Sequence, residues 1–428
     1  MNAAPLLTIE NPKRRRSTLT GWADLFPYYA GYPEEFASKV IASAGLKAKA
    51  RVYDPWNGSG STTSAAASLG RLAIGFDINP VMVVVAKARL LPPGEWSVLR
   101  PLSRRILQHA RALDTAGAGD DLNQWFSHRT TSYLRRLELS VRDHLMETEA
   151  LPVDVSTISS LASIFYVALF SAARALAGTF KSSNPTWLRV AKNPEDRLDW
   201  NRVEVERCFL DAVERARSAC RDVIVQNKAV QRVRVETADS TIMRPRKGTI
   251  DFILTSPPYC TRIDYTAATR VELAVLSPLV SDDRRSLSAR MLGSIRVPKD
   301  YPRKETSWGP TALAFLEKVG SHPSHASDTY YLKSHLDYFC KLQQALAQCE
   351  AALRSGARAV FVVQDSRYKG IHNDLQTTVI EMCSSLGMHL AQRQDFDFKC
   401  SMRDVNSRSR SYGATGAVQE SALVFRKL

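Results

Sequence analysis

Residues 250–255 form an apolar run, Ile-Asp-Phe-Ile-Leu-Thr, that passes straight into Ser256-Pro257-Pro258-Tyr259. Two consecutive prolines cannot donate to a sheet ladder, so a strand has to stop there. The carbonyl before or within the proline pair is then left to accept from a ligand. The Ser256 hydroxyl sits beside it, and Tyr259 adds a flat ring. Such a set suits a planar ligand carrying an amino group. The lone pair of an exocyclic amine is delocalised into its ring. Two acceptors on its hydrogens bias the nitrogen toward tetrahedral geometry and expose that lone pair for in-line attack on a sulfonium methyl. A base inside a duplex reaches a pocket of this kind only by leaving the stack.

A second set of residues lies upstream, in Asp54-Pro55-Trp56-Asn57-Gly58-Ser59-Gly60-Ser61-Thr62. Glycines let backbone approach a ligand closely, and small hydroxylated residues cap a following helix whose first amides are free. Asp77 ends the next strand, about 20 residues on, where an acidic side chain accepts from ribose hydroxyls. Asp239 ends a third strand. From a neighbouring strand end it can meet an adenine amino group, or serve as a simple turn carboxylate.

These residues need a sheet to bring them together. The apolar spacing predicts strands over 50–53, 72–76, 233–237 and 250–255, with helices over 61–69 and 80–91. Strand, turn, helix, strand, helix is the opening of a doubly wound sheet. Residues 95–230 show little strand pattern, and stretches 134–145, 158–176 and 203–225 have helical period. They are expected to form a helical insertion. Residues 280–330, rich in Ser, Arg, Pro and Gly, read as a loop-rich second insertion or lid. A long helix over 332–353, a strand over 359–363, a helix over 373–386 and a last strand over 421–426 complete the pattern. The expected division is a flexible basic arm over 1–18, carrying Lys13-Arg14-Arg15-Arg16, a sheet domain over 19–94 and 231–428, and the helical insertion between them.

Lys and Arg number 58 against 43 Asp and Glu, a formal net charge of +15. A chain this basic points to a polyanionic partner, of which nucleic acid is the commonest. The seven cysteines are odd in number and contain no Cys-x-x-Cys pair, which argues against a zinc ribbon or a disulfide framework and fits a reducing cytoplasm. The eight histidines show no metal-ligand spacing, and no metal is expected. The first residues lack an apolar signal region, and no apolar run is long enough to span a bilayer.

Taken together, Asp54 to Gly60, Asp77, Asp239 and Ser256 to Tyr259 resemble the motifs of the amino-methylating DNA methyltransferases, the N4-cytosine and N6-adenine group. The aromatic segment Phe26-Pro27-Tyr28-Tyr29-Ala30-Gly31-Tyr32 is similar to the element that precedes that family's cofactor motif and packs near the methionine moiety. The resemblance covers roughly residues 22–92 and 233–428. It implies an α/β, Rossmann-like class I methyltransferase sheet with a large helical insertion, S-adenosylmethionine as cofactor and double-stranded DNA as partner. It implies Ser256, Pro257, Pro258 and Tyr259 as the catalytic motif. Tyr29, Asp54, Pro55, Asn57, Gly58, Gly60, Thr62, Asp77, Asn79 and Asp239 are the implied cofactor-binding residues. Arg262, Arg403, Arg408 and Arg410 are candidate nucleic-acid contacts.

The cofactor motif here precedes the catalytic motif, and the large insertion falls between the second and third strands. The target-reading element is therefore open among the helical insertion, residues 280–330 and the basic loop over 402–412. Serine at position 256 resembles the N4-cytosine enzymes, and aspartate is usual in the adenine enzymes, so cytosine is the expected base and adenine the alternative. An RNA base methyltransferase and a silent nucleic-acid-binding protein with the same fold are the further alternatives. Restriction or defence proteins are the expected partners, with the chain a monomer or dimer. Cys260 is read as a bystander, because carbon-5 methylation uses a cysteine in a different motif.

Overall fold

The computed structural model describes residues 6–13, 21–26, 31–115, 119–147, 150–182, 187–221, 232–261, 264–297, 301–398 and 418–428. Nine strands are found in them: β1 (Arg51–Asp54), β2 (Leu72–Asp77), β3 (Val233–Thr237), β4 (Ile250–Thr255), β5 (Leu353–Gln364), β6 (Ser366–Tyr368), β7 (Ile371–Asn373), β8 (Met388–Phe398) and β9 (Val418–Lys427). Seven of them form one sheet in the order β3-β2-β1-β4-β5-β9-β8, and β6 pairs with β7 in a separate hairpin. The pairs from β3 through to β5 are parallel, and β9 runs antiparallel to both its neighbours. This is a Rossmann-like α/β fold, and its strand order reverses between β1 and β4. Ligands of such sheets bind in the crevice beyond the carboxyl ends of the strands at that reversal. Asp54 and Thr255 are the last residues of β1 and β4.

The sheet is apolar on both sides because helices cover both. Val52, Phe252, Leu254, Val360 and Val424 pack against helix Glu34–Ser43 and against Ala65 and Ala66 of helix Ser61–Ser68. Tyr53, Ile253, Phe361, Leu423 and Phe425 pack against helices Pro310–Gly320, Leu332–Ala352 and Leu375–Ser385. A third core gathers helix Pro80–Ala88, buried nearly all round, with helices Leu99–Ala112, His128–Leu145, Ser160–Leu176 and Arg202–Arg221. The helical segment between β2 and β3 is thus welded to the sheet domain through continuous apolar packing.

Residues 280–330 are more ordered than their composition suggests. Helix Arg284–Arg290 starts at Asp283, whose side chain accepts from Arg285 and Ser286 N–H. Helix Pro310–Gly320 begins with proline, which costs nothing where the first amide has no helical partner. It buries Ala312, Phe315, Leu316 and Val319, and Trp308 just before it is fully buried. Strand β8 was not anticipated. It is a half-exposed edge strand, and its sequence carries too few buried apolar residues to stand out. Among the described residues, no helix is long and apolar enough to cross a membrane.

Candidate active site

The two motifs meet at the reversal of strand order. Thr255 Oγ1 donates to Asp54 Oδ1 at 2.5 Å, and Trp56 N–H donates to the same oxygen at 3.1 Å. Asp54 is 3% exposed. Burial pushes its carboxyl up to about 6, against the opposing pull of its hydrogen bonds from Thr255, Thr62 and Trp56.

Beyond Asp54 the chain turns back over β2. Asn57 N–H donates to the Phe76 carbonyl at 2.8 Å, and Gly58 N–H donates to Asp77 Oδ2 at 2.9 Å. Asn79 N–H donates to Asp77 Oδ1 at 2.8 Å. Each Asp77 oxygen thus takes one backbone donor and keeps further acceptor capacity. Burial raises this carboxyl too, to about 6, with the Asn79 and Gly58 amides pulling the other way. Gly60 has φ 85°, and a Cβ there would stand 2.9 Å from Ala86 Cβ, so glycine is required on both counts. Gly75 in β2 is required for another reason: its Cβ would meet Asn57 Cγ at 2.5 Å. The Asn57 amide lies on that bare backbone. Its Oδ1 accepts from Thr63 Oγ1 at 3.0 Å, and its buried Nδ2 has no hydrogen-bond partner among the described residues.

Other expected residues are committed elsewhere. Thr62 faces the sheet: its hydroxyl lies 3.2 Å from the Leu254 carbonyl and 2.7 Å from the Tyr32 hydroxyl. Asn79 caps helix Pro80–Ala88 by accepting from Val81 N–H at 3.1 Å, while its Nδ2 donates to Thr269 Oγ1 at 2.9 Å. Asp239 Oδ1 accepts from both the amide and the hydroxyl of Thr241, at 2.9 and 2.7 Å. It lies at the same edge as Asp77, since Asp77 pairs with Thr237 and Ala238 N–H donates to the Asp77 carbonyl. Pro55 is buried within the turn. Tyr29, Arg262, Arg403, Arg408 and Arg410 lie outside the described residues.

In the Ser256–Tyr259 loop the Pro258 carbonyl accepts from the Tyr338 hydroxyl at 2.9 Å, so it is already engaged. Ser256 and Pro257 precede that engaged carbonyl at the end of β4. Ser256 Oγ donates to the Tyr259 hydroxyl oxygen at 3.3 Å, and that hydroxyl donates to Glu420 Oε1 at 2.6 Å. Burial raises the Tyr259 phenol well above its ordinary range. Gly293 sits over the loop, where a Cβ would come within 3.0 Å of the Tyr259 carbonyl. Cys260 is buried in the core, 3.2 Å from His335 Nδ1.

The helical insertion grips the helix that follows this loop. Arg174 donates to both oxygens of the fully buried Glu272, at 2.6 and 2.9 Å, and to the Ala268 carbonyl at 2.6 Å. Arg135, paired with Asp120, donates to the Ala274 and Val275 carbonyls at 3.1 and 2.9 Å. It closes the carboxyl end of helix Arg270–Leu276, where a cation is favoured. Sequence reasoning missed Gly75, Tyr338, Glu420 and these two arginines. Gly75 alone left a trace, as a glycine inside an apolar strand. Among the described residues, no group of three or more His, Cys, Asp or Glu is placed to hold a metal ion.

The DNA methylase family matches residues 7–88, which include β1, the glycine turn, β2 and the helix after it. The chain is 19% identical over 397 residues to the type II methyltransferase M.AvaI of Nostoc sp., covering 85% of this chain and 78% of that protein. It is 24% identical over 271 residues to the type II methyltransferase M.BsoBI of Geobacillus stearothermophilus, covering 58% of this chain and 51% of the relative. Among solved structures it is similar to a SAM-dependent methyltransferase of Methanosarcina mazei, with a TM-score of 0.29 and 7% identity over 91% of this chain and 97% of that one. Both the match over residues 7–88 and these relatives are likenesses to DNA methyltransferases.

Proposed function

We propose that this chain transfers the methyl group of S-adenosylmethionine to the exocyclic N4 amino group of a cytosine flipped out of duplex DNA, as the modifying partner in a restriction or defence system. The observation that carries the reading is the bond between Thr255 and Asp54. It sets an amine-accepting pair, Ser256 and the Pro257 carbonyl, directly beside a backbone-walled loop.

The residues present fit the cofactor. The loop from Asp54 to Gly60 has no side chain at Gly58, where a ligand could come close, and the buried Asn57 Nδ2 is a donor without a partner among the described residues. Asp77 retains lone pairs for ribose hydroxyls, and Asp239 stands at the adjoining strand end. Thr62 and Asn79 support this cradle from beneath. When bound, the cofactor supplies an electrophilic methyl group. The chain itself orients the amine, through Ser256 and the Pro257 carbonyl, and keeps the loop rigid, through Tyr338 on Pro258.

The net charge of +15 suits a phosphate backbone. Arg262, Arg403, Arg408 and Arg410 are the proposed contacts to it, and the helical insertion and residues 280–330 are the proposed target-reading elements. Serine at 256 favours cytosine by its resemblance to the N4-cytosine enzymes, and the type II methyltransferase relatives support DNA as the substrate.

Incubation with labelled S-adenosylmethionine and either DNA or RNA, followed by mass spectrometry of the nucleosides, tests the reading. N4-methylcytosine in DNA is the expected product. N6-methyladenine would overturn the choice of base, label confined to RNA would overturn the substrate, and absence of transfer to diverse DNAs would overturn the activity. Ser256→Ala is expected to lower turnover on the order of 10²-fold or more while cofactor binding persists.

A further inference from the structure

The three-membered chain from Ser256 through Tyr259 to Glu420 has a direction. A carboxylate only accepts, so the Tyr259 proton is committed to Glu420 Oε1 at 2.6 Å. The Tyr259 oxygen is then the acceptor for the Ser256 proton, at 3.3 Å. A serine hydroxyl has one proton and two lone pairs. With its proton turned toward Tyr259, both lone pairs of Ser256 are free for a donor on the other side. Without Glu420 the Tyr259 proton can point back at Ser256, and Ser256 can then present its own proton to the substrate. An N–H group placed there would meet a donor instead of an acceptor.

We propose that Glu420 is a positioning residue for methyl transfer: through Tyr259 it holds Ser256 as an acceptor toward the substrate amine, and it receives the proton that the amine sheds. This rests on the reading of the chain as an amino-methyltransferase. The new carbon–nitrogen bond forms as the methyl's bond to the sulfonium sulfur breaks, with that electron pair staying on the sulfur of the departing S-adenosylhomocysteine; the nitrogen is left with a positive charge, which is relieved when one N–H bond breaks. That proton passes to Ser256 Oγ, the Ser256 proton passes to the Tyr259 oxygen, and the Tyr259 proton passes to Glu420. Both hydroxyls are regenerated. One N–H bond has been exchanged for one O–H bond on the Glu420 carboxyl, and the charge of the product is neutralised by that of the carboxylate. Serine alone is too weak a base to keep the proton, so an acceptor at the end of the chain resolves the difficulty posed by serine at this position.

The fold explains why Glu420 is available. It lies on β9, between Gln364 of β5 and Phe396 of β8, neither of which titrates. Among the described residues, the charged or titratable groups that bear on it are Tyr259 from the loop after β4 and Lys13 from the N-terminal segment. Burial raises its carboxyl above the ordinary range, while the Tyr259 hydrogen bond and Lys13 lower it; the net displacement is upward. A raised carboxyl is a better proton acceptor than an ordinary one.

The test compares the full-length chain with Glu420→Gln, Tyr259→Phe and the double variant. Single-turnover methyl transfer to unmethylated phage DNA is followed between pH 5 and 9 at saturating S-adenosylmethionine, and binding of S-adenosylhomocysteine is measured beside it. Glu420→Gln is expected to bind S-adenosylhomocysteine normally, to lose on the order of 10²-fold in rate, and to lose the acid limb of the wild-type pH profile. Tyr259→Phe is expected to show the same two changes, and the double variant no further loss, because the three groups act as one unit. A Glu420→Gln rate within threefold of wild type with an unchanged acid limb, or full additivity in the double variant, would overturn the relay and leave the methyltransferase reading standing. No transfer by the unaltered chain would remove both.

Discussion

Thr255 Oγ1 and Asp54 Oδ1 stand 2.5 Å apart across the reversal of strand order between β4 and β1. One residue ends the strand that delivers the amine-accepting loop, and the other opens the glycine turn. Both side chains are buried, so the bond is made in a medium where its loss leaves a carboxylate short of a donor. Thr255→Val keeps shape and removes only that donor. It is expected to cost about 1–3 kcal/mol in urea unfolding and to weaken S-adenosylhomocysteine binding severalfold by calorimetry. Unchanged binding would show that the turn is held without this bond.

Asp54 and Asp77 both have carboxyl groups raised to about 6 by burial. For an acid raised in the folded state, the stabilising contribution is full below the unfolded value near 4 and is lost as pH rises through about 6. At pH 8 the ionised Asp54 therefore opposes folding, by up to about 3 kcal/mol from the shift. Asp54→Asn is expected to raise the melting temperature at pH 8 and to leave it nearly unchanged at pH 4. Differential scanning calorimetry at the two values decides it.

On the proposed reading the same two carboxylates make cofactor binding pH-dependent in the opposite sense. They accept most strongly when ionised, so S-adenosylhomocysteine affinity is expected to fall as pH drops below about 6, by up to tenfold per unit for one group. Asp77→Asn is expected to weaken binding at pH 8 and to flatten the profile. A wild-type profile level from pH 5 to 8 would count against both carboxylates as ligands.

Gly75→Ala introduces a Cβ about where the Asn57 side chain now lies, 2.5 Å from its Cγ. Either β2 or the turn has to move. Overpacking of this kind costs about 1–3 kcal/mol. The more telling readout is cofactor binding, which is expected to fall well beyond the loss in stability, because the displaced segment is the turn itself.

Arg174→Met leaves Glu272 fully buried without its two guanidinium bonds. Breaking a buried pair on one side costs about 3–5 kcal/mol, whereas replacing both partners by apolar residues is often nearly neutral. Arg174→Met is thus expected to be much less stable than the Arg174→Met/Glu272→Met double variant in urea unfolding. Methyl transfer is expected to fall in the single variant, since Glu272 anchors the helix that follows Ser256 to Tyr259.

Several parts of this protein were legible in residue order. Strands β1 to β4 and the helices between them announce themselves because each is a short apolar run broken by a turn, and the site residues sit at those breaks. Asp54, Gly58, Gly60, Asp77 and Ser256 were singled out that way, since the end of a strand is marked by local chemistry: a proline that cannot pair, a glycine that must turn. Residues 310–320 were harder, because a segment dense in Ser, Arg and Pro outweighed the helical spacing of Ala312, Phe315, Leu316 and Val319.

Only the tertiary structure decided which acceptors are engaged and which residues stand behind them. Pro257 and Pro258 are equivalent in sequence, yet it is the Pro258 carbonyl that Tyr338, on a helix far along the chain, engages. Glu420 enters the site because β9 inserts antiparallel between β5 and β8, a pairing that no local pattern encodes. Arg174 and Arg135 belong to the helices between β2 and β3, and packing turns them inward onto Glu272 and the end of its helix. Short-range sterics and hydrogen-bonding capacity are written in neighbouring residues. The partners of a buried polar group are set by which distant segments the core brings together, and that is a property of the fold.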